Sequence, residues 1–249
     1  MSTWPTRLWL VRHGESAGNL ALLAAETAGA ETIEIEGRDV DVPLSERGRR
    51  QARALGQWLH QQPANEQPSL IVSSPYARAL ETARQLSHEL PSASASCLVD
   101  ERLREKEFGE LNRFTKAGIS TRFPEEARRR AELGKFYYRP PGGESWCDVA
   151  LRVRAFVQDL QLAHAGERVL VVAHQVIVLC FRYVVERLDE RQLLEIDRAG
   201  DVANCSITSF KAAGTPGRER LELLEYNFVT PLEEAGEPVT TAPDPAVIK

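Results

Sequence analysis

The sequence predicts an α/β fold: a three-layer α/β/α sandwich around a mostly parallel central sheet, in a single domain over residues 1–230. Three observations predict it. Short apolar runs rich in leucine, isoleucine and valine alternate along the chain with amphipathic helical patterns. The run "RVLVVAH", Arg168 to His174, is apolar on both faces, as a central parallel strand requires. Strands separated by helices call in turn for a sheet covered on both sides. The 249 residues suffice for one sizeable core, although length alone also permits two smaller ones.

The elements follow in chain order. Arg7 to Val11 reads as a buried strand, and Ser16 caps a helix through "AGNLALLAAETA". Ser45 caps a second helix, whose apolar positions are Ala52, Leu55, Trp58 and Leu59. Ser69 to Ser74, "SLIVSS", is the next strand, and Pro75 stands at a natural helix start. "PSASAS" reads as a flexible connector to the extended piece "CLVD". "SWCD" then opens a helix from Ser145 to His164 with an S-x-x-D capping box. After the central strand come a helix from Gln175 to Leu188 and two strands, "ANCSITSF" and "RLELLEYN", joined across "AAGTPG". Residues 231–249 are proline-rich and acidic, the composition of a flexible tail.

Composition narrows the function. With 36 acidic against 31 basic residues the net charge is −5, which argues against nucleic-acid or anionic-membrane partners, so any anion site is local. The four cysteines are scattered, with no CxxC pair and no histidine at zinc-ligand spacing; they read as reduced, mostly buried thiols, and no metal site is expected. No apolar stretch approaches the roughly 20 residues that span a bilayer, and the amino end lacks a signal-peptide pattern, so the expected location is cytoplasmic. A homo-oligomer is compatible with all of this.

Two strand ends carry histidine, "LVRH" and "VVAH", and ligand crevices in such sheets lie beyond the carboxyl ends of strands. His13 and His174 are therefore expected at one crevice. Phosphoryl transfer needs an in-line nucleophile, donors for three equatorial oxygens and an acid for the leaving oxygen. Neutral His13 suits the first role, while Arg12 beside it is cationic at any working pH. Arg78, one turn into the helix after the second strand, is placed to return to the same crevice as a bidentate clamp. Among Glu101, Glu105 and Glu107 in "ERLREKE" the residue pattern alone does not choose an acid. His60, His88 and His164 sit near helix ends, and a helix-terminus role suits them better than a catalytic one.

"RHGES" with Asn19, "SSPYARALETA", "LREKEFGELN", "PPGGES" and "VVAH" occur in an order that resembles the histidine phosphatase superfamily, in its phosphoglycerate mutase-like branch, over about Arg7 to Val185. The resemblance implies a phosphoglycerate mutase-like fold, a phosphorylated nucleophile at His13, a phosphate pocket of Arg12, Arg78 and His174, and Glu105 as general acid and base. It places Asn19 on the transferred phosphoryl group. Ser16 is left between substrate contact and helix cap. Bound phosphate favours the protonated form of Glu105, and Arg12 and Arg78 oppose this.

Departures from the mutase pattern bear on the reaction. His174 is followed by Gln175, where mutases continue with glycine and asparagine, and this resembles the phosphatase domain that acts on fructose 2,6-bisphosphate. Leu179 stands where the arginine of the HGxxxR pattern is often found. Phe108 replaces a substrate-binding tyrosine, while Lys116 matches a mutase substrate lysine. The resemblance implies a lid-like insertion over about residues 106–143, in which Phe136, Tyr137 and Tyr138 read as packing residues, and Arg128 to Arg130 as a solvated helix face from which one arginine can steer an anion. The favoured expectation is a phosphomonoesterase acting on a small phosphorylated metabolite without cofactor. The alternatives are a mutase primed by 2,3-bisphosphoglycerate and a non-catalytic phospholigand-binding protein.

Overall fold

A computed structural model of the chain describes residues 3–90, 96–215 and 219–242. Its strands are β1 (Arg7–Arg12), β2 (Leu70–Ser73), β3 (Ser96–Val99), β4 (Arg168–Ala173), β5 (Ile207–Ala213) and β6 (Arg220–Phe228). They form one sheet in the order β3-β2-β4-β1-β5-β6. The first four strands run parallel to one another, and β5 and β6 add an antiparallel edge. The helices are α1 (Ala17–Thr27), α2 (Glu46–Gln61), α3 (Ala77–Glu89), α4 (Lys116–Arg122), α5 (Pro124–Leu133), α6 (Trp146–Ala163), α7 (Gln175–Val185), α8 (Glu190–Ala199) and α9 (Thr230–Glu234).

The period of two along each strand sorts side chains into two cores. Leu8, Leu10, Val169 and Val171 face α6, α7 and α8, whereas Trp9, Val11, Leu170 and Val172 face α2, α3 and α9. Both faces of β1 and β4 are thus apolar, which is why these strands carry no polar alternation and occupy the middle of the sheet. Three serine caps set helix starts: Ser16, Ser45 and Ser145 accept hydrogen bonds from Asn19, Gly48 and Asp148 amides. Gly48 in the first turn of α2 permits a close approach, since a Cβ there would stand 2.0 Å from the Glu15 carbonyl oxygen.

Several expectations change. Helix α3 begins at Ala77, because Tyr76 is still extended after Pro75. Helix α8 is additional to the elements expected from sequence; Asp189 and Gln192 form its capping box. Residues 203–206 form a turn before β5 rather than part of the strand. The segment from Pro231 is no loose tail as far as Ala242: Leu232 of α9 is fully buried, Arg50 pairs with Glu237 at 3.0 Å, and the Gln51 amide donates to the Pro238 carbonyl and the Thr240 hydroxyl. Cys180 and Cys205 are buried, Cys147 is half-buried and Cys97 is exposed, with no disulfide among them. The connector 91–95, the turn residues 216–218 and positions 243–249 lie outside the described residues. No described helix is long and apolar enough to cross a membrane.

The insertion folds over the α1 side of the sheet's carboxyl edge. Thr115 donates to the Ala30 carbonyl, Ile33 to the Arg113 carbonyl, and Arg122 pairs with Glu31 at 2.7 Å. Phe136 and Tyr138 are buried, whereas Tyr137 is exposed.

Candidate active site

Strands β1 and β4 are paired neighbours, with Arg12 opposite Ala173, so His13 and His174 leave the sheet side by side. Their ring centroids are 5.1 Å apart. Arg12, His13, Arg78 and His174 are all fully buried. The strand-end geometry therefore brings together residues separated by more than half the chain.

Hydrogen bonds fix the His13 tautomer. Its Nδ1 lies 2.7 Å from the Gly14 carbonyl oxygen, which can only accept, so Nδ1 carries the proton. Its Nε2 accepts from Arg78 Nε at 3.3 Å. The lone pair of Nε2 therefore faces the guanidinium, at the position where an anion would lie against it. Thr82 Oγ1 takes the Gly14 amide, and Asn204 Nδ2 holds the His13 carbonyl. Two hydrogen bonds thus hold the ring and two hold the backbone that carries it.

Arg78 extends from the first turn of α3. Besides His13, it donates to the Asp39 carbonyl at 2.8 Å and to the Asp39 carboxylate at 3.1 and 3.3 Å. It also stacks on Tyr76, whose hydroxyl pKa is pushed up, chiefly by burial. His174 Nε2 shares a 2.8 Å hydrogen bond with Ser74 at the end of β2. Three adjacent strand ends thus build the pocket floor.

Glu105 is buried, its Oε1 accepts from the Lys106 amide at 2.7 Å, and its Oε2 stands 4.0 Å from His174 Nδ1. Glu101 and Glu107 are exposed. Position therefore singles out Glu105, which the charge run by itself did not.

Arg12 Nη1 donates to the Val202 carbonyl at 2.6 Å, and its Nη2 donates to the Ala242 carbonyl at 2.7 Å. Asn19 Nδ2 reaches the same Ala242 oxygen at 3.2 Å. The carboxyl-terminal segment thus presents a carbonyl to two donors of the pocket. The Ser16 hydroxyl donates to Asn19 Oδ1 and accepts from the Asn19 amide, which uses it in the helix cap. Lys116, at the start of α4, is exposed and lines a cavity of about 480 Å³ together with Glu15, Arg47, Thr240 and Ala242. Gln175 Nε2 donates to Asp201, which lines the same cavity, and Leu179 is buried in the core.

Sequence reasoning did not find Asp39, Ser74, Tyr76, Asn204 or Ala242. Ser74 and Tyr76 flank a proline after a strand, a weak signal; the other three lie in stretches without periodicity. No group of three or more His, Cys, Asp or Glu side chains suited to a metal occurs among the described residues.

Known proteins resemble the chain in sequence and in fold. Residues 8–226 match the profile of the histidine phosphatase superfamily, branch 1. A 2,3-bisphosphoglycerate-dependent phosphoglycerate mutase of Gloeobacter violaceus is 31% identical over 195 residues, covering 76% of this chain and 80% of its own. The bifunctional 6-phosphofructo-2-kinase/fructose-2,6-bisphosphatase of Gallus gallus is 30% identical over 187 residues, 75% of this chain but 34% of its own. Among solved structures, a mycobacterial glucosyl-3-phosphoglycerate phosphatase in complex with VO3 superposes with a TM-score of 0.68 at 28% identity, covering 90% of this chain and 99% of the other.

Proposed function

The chain belongs to the histidine phosphatase superfamily, and from that premise we propose that it is a phosphomonoesterase acting on a small phosphorylated metabolite through a phosphohistidine at His13. The observation that carries this reading is the fixed tautomer of His13, with Nδ1 tied to Gly14 and the Nε2 lone pair beside Arg78.

In the proposed reaction Nε2 attacks phosphorus as the ester P–O bond breaks, and Glu105 gives its proton to the departing oxygen. Arg12, Arg78, Asn19 and His174 supply positive charge and donors to the equatorial oxygens, so charge that spreads in the transition state meets groups already oriented. Glu105, now a carboxylate, takes a proton from water, which attacks the phosphohistidine. The N–P bond breaks, inorganic phosphate leaves and His13 is neutral again. Two guanidiniums and an imidazole provide the positive charge, so the scheme uses no metal or cofactor.

Hydrolysis is favoured over isomerisation by the groups beside the pocket. Phe108 brings a ring and no hydroxyl, and Gln175 is engaged with Asp201. The test is phosphate release from a panel of sugar and glycerate phosphates without a bisphosphate primer. Steady release is expected; primer-dependent isomerisation with little free phosphate would establish a mutase instead.

A further inference from the structure

The Arg78 guanidinium carries its five N–H groups in a rigid plane. Asp39 takes one end of that plane: its carboxylate oxygens accept from Nη1 at 3.1 Å and from Nη2 at 3.3 Å, and its carbonyl accepts from Nη1 again at 2.8 Å. The Tyr76 ring, centred 4.9 Å from the guanidinium carbon, covers one face. The side edge that Nε shares with Nη2 is thereby turned to His13, whose Nε2 lies 3.3 Å from Nε. Two parallel N–H groups along one edge are what a phosphoryl group at that nitrogen needs from an arginine.

Asp39 stands on a single short helical turn, Asp39–Asp41, between α1 and α2. The chain just after that turn is tied to α3 itself, since the Leu44 amide donates to Glu81, one turn beyond Arg78, and Val42 and Leu44 are buried. The two acids of the turn divide. Asp41 pairs outward with Arg38, both side chains more than half exposed, whereas Asp39 faces an arginine side chain that is 1% exposed. An exposed pair is worth little, but a carboxylate against a buried guanidinium sets both its direction and its charge. A phosphate dianion therefore meets an arginine whose charge is already partly balanced.

We propose that Asp39 is a positioning residue for phosphoryl transfer: it aims the side edge of Arg78 at His13, and its charge keeps that clamp from holding phosphate too tightly before and after the reaction. Binding shared equally by ground and transition states would lower KM without raising kcat. The turnover readout rests on the phosphomonoesterase reading; the phosphate-binding readout does not.

Asp39→Asn keeps the shape of the side chain and removes its charge. In the full-length protein kcat should fall about tenfold, because a guanidinium held less firmly in its plane loses alignment with phosphorus. Binding of inorganic phosphate, read by calorimetry, should instead tighten about fivefold as the opposing charge is lost, and KM should fall with it. Asp39→Glu should restore part of both. Action through Arg78 is read by a double-mutant cycle: in Arg78→Ala protein, Asp39→Asn should change neither kcat nor phosphate affinity by more than about twofold. A carboxylate that only stabilises its turn would lower Tm and leave both constants unchanged, which would overturn the proposal. Weaker phosphate binding in Asp39→Asn, or an undiminished effect in Arg78→Ala protein, would do the same. If the wild type hydrolyses no ester while Asp39→Asn still tightens phosphate, the phosphatase reading fails and the charge role of Asp39 stands. If hydrolysis proceeds and Asp39→Asn alters neither constant, only the role of Asp39 fails.

Discussion

The carboxyl edge of the sheet and the segments that cover it are built differently. His13, His174 and Ser74 are held by the ladder of β1, β4 and β2, with every side chain in that row buried. The covering segments, the insertion and the stretch from Glu237 to Ala242, add ion pairs and hydrogen bonds to extended backbone, such as Arg122 with Glu31 and Gln51 with Pro238, to the insertion's own apolar cluster of Leu111, Ile119 and Tyr138. The two histidines thus leave the inner ladder of the sheet, whereas the covering segments also depend on partly solvated attachments.

Substitutions can break that division, beginning at the floor. His13→Ala should abolish acid-labile phosphoenzyme and cost several orders of magnitude in kcat, read by phosphate release; normal turnover would end the covalent scheme. Arg78→Ala should cost on the order of 10²–10³ in kcat, because a preorganised donor is lost. A loss confined to KM would move Arg78 from transition-state to ground-state binding.

The covering segments should show smaller effects. Removing residues 238–249 frees Arg12 and Asn19 from the Ala242 carbonyl while α9 and the Arg50–Glu237 pair stay. KM for phosphate esters should fall by about tenfold, the value of one charge-assisted hydrogen bond that substrate no longer displaces. A rise in KM would instead make the segment part of the substrate site. Ser16→Ala should cost about 1 kcal/mol of stability as a lost helix cap, seen as a lower Tm. A tenfold drop in kcat/KM with Tm unchanged would place its hydroxyl on the substrate.

The sheet and its helices were legible because burial on both faces leaves an unambiguous record: Val169 to Val172 cannot be anything but interior. The serine caps were equally plain. Helix α8 carried a signal in Asp189 and Gln192 that its charged sequence obscured. In the site, strand-end position pointed to His13 and His174, but Asp39, Asn204 and Ala242 reach the pocket from distant stretches whose residues have no intrinsic preference for it. The segment after Pro231 was misread from composition. Proline and acidic residues argue against a packed core, yet Leu232 fills a hydrophobic site, and Gln51 and Asn204 satisfy the polar backbone of the extended stretch. Proline also reduces the entropy lost on docking it.

Thr6 and Ala242 are not equivalent points of attachment. Thr6 bonds to Glu167 where β1 and β4 begin, at the far edge of the sheet from the histidines, whereas Ala242 lies against Arg12 and Asn19. A group joined directly at Ala242 is expected to crowd Arg12 and Asn19, whereas one joined at Thr6 starts from the opposite edge of the sheet.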